Sequence, residues 1–226
     1  MNNHRLTNVT AIMTIFVVLL LSGASTSLGS QTTPSVEPTP IVETIETQPN
    51  VIRTPMSAFD QNMKLAFDVG SELGHPETLQ AILLVETRGG VGSIIGGKQL
   101  PALQRSYGIM QIQVGTARSV LQRTAGLIGR YFPGRPYKSI SNEEIIRLLL
   151  TSNEASMRIA AHNFQLNMRF TKGNWERAVA AYNAGIGAIM RSINIPNPGY
   201  VGLVKAKMKN IVRPYNTQHD LLLNTQ

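Results

Sequence analysis

The chain has 226 residues and a mass of 24.7 kDa, with 42% apolar and 15% charged residues, which suits one domain with flanking segments and excludes a wholly disordered polymer. It contains no Cys, which excludes disulfide scaffolds, thiol nucleophiles, Cys-containing zinc sites and a lipidated cysteine. The formal charge of +8 and pI near 10.0 point either to an anionic partner or to the plain solubility of an exported protein.

Residues 1–30 have the pattern of an export signal. Arg5 supplies the positive start, Ala11 to Leu21 the apolar stretch, and Ser22-Gly23-Ala24 the small residues that a signal peptidase accepts. The stretch is short for a membrane span of roughly 20 residues, so a cleaved signal is favoured over a retained anchor, and no stable span is expected in the mature chain. Localisation is then periplasmic or secreted. Residues 31–55 carry Pro34, Pro38, Pro40, Pro49 and Pro55 in a Thr- and Glu-rich context and are expected to be a disordered linker. Residues 51–226 hold 20 basic against 10 acidic side chains. The basic residues lie singly, and the tightest group, Lys205, Lys207 and Lys209, alternates with apolar residues. Without a basic stripe and interleaved aromatics, nucleic acid is not an expected partner.

The remainder is predicted to be all-α, a compact multi-helix domain over residues 56–213 with little or no sheet, followed by a tail over 214–226. Helices are expected over Phe59–Leu73, then over Pro76–Glu86 with Pro at the start, and over Thr116–Ile128 with Thr116 as cap. Ser141 and Glu144 form a capping-box pattern ahead of Ile145–Leu150. A long amphipathic helix covers Asn153–Phe170, Asn174 caps Trp175–Ala184 with Gly185 as terminator, and Tyr200–Ile211 is the last expected helix. Gly- and Pro-rich loops fill Gly89–Pro101 and Ile193–Gly199.

Leu79, Ile82, Leu83 and Glu86 share one helical stripe, which turns a carboxylate toward the core. Desolvation disfavours its ionised form, so Glu86 is expected to have a raised pKa and to hold a proton near neutral pH, as a general acid requires. The competing reading is a boundary Glu that leans to solvent or pairs with Arg88. His4, His75, His162 and His219 lack metal-ligand spacing, so no metal and no cofactor is expected.

Glu86-Thr87, Tyr107-Gly108-Ile109-Met110-Gln111-Ile112, the Asn153 to Phe164 helix and Ala181-Tyr182-Asn183-Ala184-Gly185 follow one another in that order. Together they resemble the lytic transglycosylases of the soluble type with a lysozyme-like domain, over roughly Met56 to Met208. The resemblance implies cleavage, without water, of the β-1,4 bond between N-acetylmuramic acid and N-acetylglucosamine in peptidoglycan, leaving a 1,6-anhydromuramoyl end. Glu86 would be the catalytic acid and then base. Gly108 would let sugar approach the backbone, Met110 would pack on the sugar and Gln111 would hydrogen-bond it. Tyr182 would bring its hydroxyl near the catalytic carboxyl, and Asn183 would bond substrate or scaffold. For Met110 and Tyr182, plain core packing is the competing reading.

Most glycosidases use two carboxylates, and no second acid lies in a matching motif, although Glu143, Glu144 or Glu154 could be brought close by folding. Thr87 stands where Ser is common, and either supplies a hydroxyl. The segment from Arg88 to Tyr107 is longer than in typical relatives and Gly-rich, as expected of an enlarged cleft lip. Ala160 or Ala161 supplies the small residue of the third motif. Two alternatives stay open, a hydrolytic muramidase of the goose type and a non-catalytic peptidoglycan-binding factor of an envelope-spanning secretion or conjugation complex. Glycan strands are the expected partner in every case.

Overall fold

The computed structural model describes residues 55–224, with side chains as far as His219. The signal expected over 1–30 and all of the linker except Pro55 lie outside them. No described helix is long and apolar enough to cross a membrane.

The described chain is mostly helical, with one three-stranded sheet of two-residue strands. Helix α1 is Ala58–Glu72, entered through Ser57, whose hydroxyl accepts from the Asp60 amide. Helix α2, Pro76–Thr87, begins on Pro76, which sacrifices no donor at that position. Strands β1 (Ile95–Gly96), β2 (Ser106–Tyr107) and β3 (Ile112–Gln113) pair antiparallel in chain order, with Ile95 opposite Tyr107 and Tyr107 opposite Ile112.

Helix α3, Val114–Arg123, starts directly from β3 with Gln113 as its N-cap residue. Thr116 is therefore inside the helix and does not cap it. Helix α4, Ala125–Tyr131, is separate, because Thr124 adopts φ −128° and ψ 80°. The break has a packing reason. Leu121 and Leu127 are both buried, yet six residues of continuous helix would turn them about 120° apart. The Gly126 and Gly129 positions also weaken continuation of the helix.

Helix α5, Asn142–Thr151, carries the expected capping box between Ser141 and Glu144. Helix α6, Asn153–Phe170, is the central element and buries Met157, Ile159, Ala160, Ala161 and Phe164. Both candidate small residues of the third motif are thus enclosed. Helix α7, Trp175–Ala184, is capped by Asn174 and ends at Gly185, whose φ of +80° an L side chain would resist. It buries Ala178 to Ala181, so α6 and α7 meet through small side chains. A short helix, α8 (Ile186–Arg191), follows.

Helix α9, Pro198–Lys207, runs through a π-helical turn, Met208–Val212, into α10, Arg213–Asn224. The tail expected from residue 214 is therefore helical at least as far as Asn224. Its first turns dock by polar contacts: Asn216 and Gln80 exchange two side-chain hydrogen bonds of 2.9 and 3.0 Å, and the Tyr215 hydroxyl donates to Asp60 at 3.1 Å. Gln80 is 1% exposed, so Asn216 satisfies an amide that would otherwise be unmet in the core. Partners 136 residues apart are invisible to local pattern reading.

Candidate active site

The end of α2 determines where the carboxyl of Glu86 sits. Leu79, Ile82 and Leu83 on the same stripe are 0–2% exposed, and Glu86 itself is largely buried at the wall of a cleft of about 420 Å³. The stripe thus has the orientation that the helical period requires. Arg88 is exposed and begins the left-handed exit from α2 at φ +56°. The side-chain partner of Glu86 is the Tyr200 hydroxyl, which donates to Oε1 at 2.6 Å. Burial pushes the Glu86 carboxyl from its ordinary 4.5 up to about 7, with the Tyr200 bond pulling the other way.

Three helices converge there. Tyr200, 6% exposed, comes from the first turn of α9, and Tyr182 comes from α7. The Tyr182 hydroxyl donates to the Met110 carbonyl at 2.8 Å and does not reach the carboxyl. Burial and the nearby Glu86 charge raise its ionisation well above the ordinary range, so it stays a neutral donor. The hydroxyl on Glu86 therefore belongs to Tyr200, which the sequence reading treats only as a helix start. The signal that points to it is the Asn197-Pro198-Gly199-Tyr200 helix entry, which places a tyrosine in a first turn.

That entry is itself tied down. Asn197 has φ +49°, accepts from the Tyr200 amide at 3.2 Å through Oδ1, and donates through Nδ2 to Asn183 Oδ1 at 2.7 Å. Asn183 thus bonds scaffold, and the chain Asn183, Asn197, Tyr200, Glu86 links the third helix of the wall to the carboxyl. Thr87, 1% exposed, donates its hydroxyl to the Ile109 carbonyl at 2.7 Å and accepts from the Gly90 amide at 3.0 Å. One hydroxyl therefore fastens α2 both to the 107–112 turn and to the segment that follows the helix.

Four of the six expected site residues line the cleft together: Glu86, Gln111, Tyr182 and Asn183. Two do not. Met110 is 0% exposed and packs in the core, so contact of its side chain with a bound sugar is corrected to core packing. Gly108 is also corrected. A Cβ there would lie 2.4 Å from the Leu149 carbonyl and 2.6 Å from Ser156 Oγ, so the glycine allows close approach of α5 and α6, not of a ligand. The physical reason is the turn between Gly108 at φ +75° and Gln111 at φ +48°, which folds the intervening residues inward. Gln111 Nε2 donates to the Gly108 carbonyl at 3.0 Å and to the Ser93 carbonyl at 3.3 Å, so its amide nitrogen pins the lip.

The lip, residues 88–107, contains β1 and β2 and exposes Val91 and Leu103. Glu143 is exposed, Glu144 is held by Arg135 and the Ser141 amide, and Glu154 is paired with Arg130 and Arg158. None of these three acids lines the cleft, and Glu86 is the one carboxylate among its lining residues. No Lys, Arg or His lines it either, so the excess positive charge of the protein lies elsewhere. Among the described residues no group of three or more His, Asp or Glu is placed to hold a metal ion.

What this arrangement can do chemically is deliver one proton near neutral pH into an uncharged polar trough. Residues 74–198 match the family described as Transglycosylase SLT domain. Tyr200 lies two residues beyond the matched segment. No curated protein and no solved structure matches the chain.

Proposed function

The chain belongs to the transglycosylase SLT domain family, and from that membership together with the single-acid cleft we propose that it is a peptidoglycan lytic transglycosylase whose catalytic acid and base is Glu86. The observation that carries this reading is a lone buried carboxyl, raised to about 7, on a cleft lined by hydroxyls and amides. Such a lining suits a neutral glycan, and a pKa near the working pH suits a group that must both give and take a proton.

In this reading the protonated Glu86 donates to the glycosidic oxygen between N-acetylmuramic acid and N-acetylglucosamine, and the C1–O bond of the muramoyl residue breaks. The acetamido oxygen of that residue stabilises the developing positive charge at C1. The Glu86 carboxylate then takes the proton of the muramoyl 6-hydroxyl as its oxygen closes on C1, giving the 1,6-anhydro end and restoring the acid. Bonds and protons balance without water. Tyr200 donates to the carboxylate throughout, stabilising the ionised state reached in mid-reaction. Tyr182 holds the Met110 carbonyl and thereby the 107–112 turn against α7. The site of action is the wall outside the cytoplasm.

The test is the mass of muropeptides released from purified sacculi. The expected product is one water lighter than the hydrolysed counterpart. A reducing-end product makes the enzyme a muramidase of the hydrolytic kind, and binding without release makes the chain a glycan-binding factor.

A further inference from the structure

Part of the positive charge that is absent from the cleft gathers at the far end of the same wall. Helices α7 and α9 run antiparallel, with Asn183 bonded to Asn197 at the cleft end and Lys205 paired with Glu176 at the other. Beside that second pair, about 10 Å along α7 from Tyr182, lies a groove of about 410 Å³ lined by Trp175, Lys205, Met208, Lys209 and Arg213, none of which lines the cleft. Lys205 and Lys209 are the outer members of the basic group noted in the sequence, and Lys207 takes no part. The π turn arranges this lining. The Arg213 amide donates to the Met208 carbonyl five residues back, which brings Met208 and Arg213 onto one face, whereas an α-helix holds residues five apart at about 140°. Lys205 and Arg213 meet the exposed carboxylates of Glu176 and Glu77, and Lys209 between them has no ion pair among the described residues. Exposed pairs of this kind are weak, so an incoming anion can take over both cations. The Trp175 indole N–H donates to Thr78 Oγ1 at 3.0 Å, and the half-buried ring therefore offers a ligand its carbon surface.

We propose that this groove docks an acidic, extended segment of a partner protein, whose carboxylates meet Lys205, Lys209 and Arg213 while an apolar side chain rests on Trp175 and Met208. Spacing supports a peptide. Cations four residues apart on a helix lie about 6 Å apart along its axis, and alternate side chains of an extended chain lie about 7 Å apart. Three acids at alternate positions therefore match the three cations in register. A nucleic-acid strand is the poorer fit, because a single indole gives no platform for successive bases. A bilayer surface fits a protruding apolar face, and here Trp175 and Met208 are half-buried in a groove. The groove shares no residue with the proton-transfer site and does not rest on the glycan reading.

Trp175 is the single tryptophan of the chain, so its emission reports occupancy of the groove without a label. The full chain is titrated with a capped hexapeptide of alternating glutamate and leucine, and the expected result is a saturable shift of that emission that weakens as salt is added. The matching hexapeptide of lysine and leucine should give no shift. Lys209→Gln should weaken binding of the acidic peptide up to about fivefold, the range for one exposed ion pair, and Lys209→Glu should abolish it. Thermal midpoints should stay unchanged in both, because Lys209 is exposed. Absence of a saturable shift, or equal affinity in Lys209→Glu, overturns the proposal. If phosphatidylglycerol vesicles or single-stranded DNA give the shift and the peptide does not, the groove is a lipid or nucleic-acid surface and the proposal falls. Lytic release from sacculi should be the same in Lys209→Gln as in wild type. A loss there that matches the loss of peptide binding would make the carboxylates of the wall the occupant and overturn the partner protein.

Discussion

The wall formed by α2, α7 and α9 and the lip of residues 88–107 border the same cleft and are held by different means. In the wall, apolar side chains at helical spacing are buried almost completely, and a hydroxyl from a distant part of the chain, Tyr200, is fixed against one carboxyl, with the Asn183–Asn197 and Tyr182–Met110 bonds tying the surrounding elements together. In the lip, the ties are backbone bonds such as Gly92 to the Thr87 carbonyl at 2.7 Å and Gly108 to the Ile94 carbonyl at 2.9 Å. Its glycines pack where side chains cannot: Gly90, at φ +82°, leaves 2.3 Å between an added Cβ and Asn62 Nδ2. The wall has the burial that raises the pKa of a carboxyl, and the lip has too few buried apolar groups to do so. The difference is one of burial: proton affinity is set where packing is tight, and the lip is tied mainly by backbone bonds that local opening can break more readily.

Glu86→Gln strikes the wall hardest. Loss of a positioned general acid costs roughly 10²–10⁴-fold in rate, so lytic release from sacculi should disappear at ordinary enzyme concentrations. The same change should stabilise the fold. A carboxyl whose folded pKa is about 7 against an ordinary 4.5 is penalised by on the order of 3 kcal/mol once fully ionised. The sign follows from linkage: the penalty is absent below about pH 4.5, grows as pH rises toward 7, and is fully present above it. Denaturant midpoints of the Gln variant should therefore match wild type in acid and exceed it at neutral pH. Equal midpoints at every pH would mean that the carboxyl is not buried as described.

Tyr200→Phe tests whether the wall tunes its acid. A hydrogen bond to a charged group contributes about 1.5–3 kcal/mol, so turnover should fall roughly ten- to a hundredfold. Because the Tyr200 bond lowers the Glu86 pKa, its loss should move the alkaline limb of the pH–rate profile upward. The other titratable group facing the carboxyl is Tyr182, which stays neutral in that range. A limb that stays in place would assign Tyr200 to packing alone.

A smaller effect is expected from Asn197→Ala, which removes the cap of α9 and the tie to Asn183 while sparing the Tyr200 hydroxyl itself. Cap loss costs about 0.5–2 kcal/mol of stability. The pH–rate limb should shift in the same direction as in Tyr200→Phe and less far, and Asn197→Asp, which keeps the capping oxygen, should recover part of the stability. Smallest of all for turnover is Gln111→Asn in the lip. Asn accepts a positive φ readily but is too short to reach the Ser93 carbonyl. KM should rise a fewfold with kcat nearly unchanged, and proteolytic nicking within 88–107 should quicken. A fall in kcat alone would show that lip and wall are one unit.

The legible part of the molecule is the part governed by periodicity and caps. The capping box at Ser141, the Asn174 cap, the bounds of α6 and the buried stripe that ends in Glu86 all follow from residues within four positions of one another. Short-range rules reach no further. Thr116 looks like a cap because a hydroxyl residue precedes an apolar run, but strand β3 leads straight into the helix at Val114. Met110 looks like a sugar contact because motif resemblance carries no direction, and the positive-φ turn at Gly108 and Gln111 decides which way it points.

From the sequence by itself come the helical class, the family, and a carboxylate that burial must keep partly protonated, because each is encoded in composition, period or ordered motif. Tertiary structure alone decides which hydroxyl holds that carboxylate, since Tyr200 stands 114 residues from Glu86 and no local pattern pairs them. It also decides that Glu143, Glu144 and Glu154 are spent on arginines, a cap or solvent, and that α10 docks through Asn216 onto Gln80. Those outcomes depend on which surfaces meet when the helices pack, and hydrogen-bond partners far apart in the chain are chosen only then.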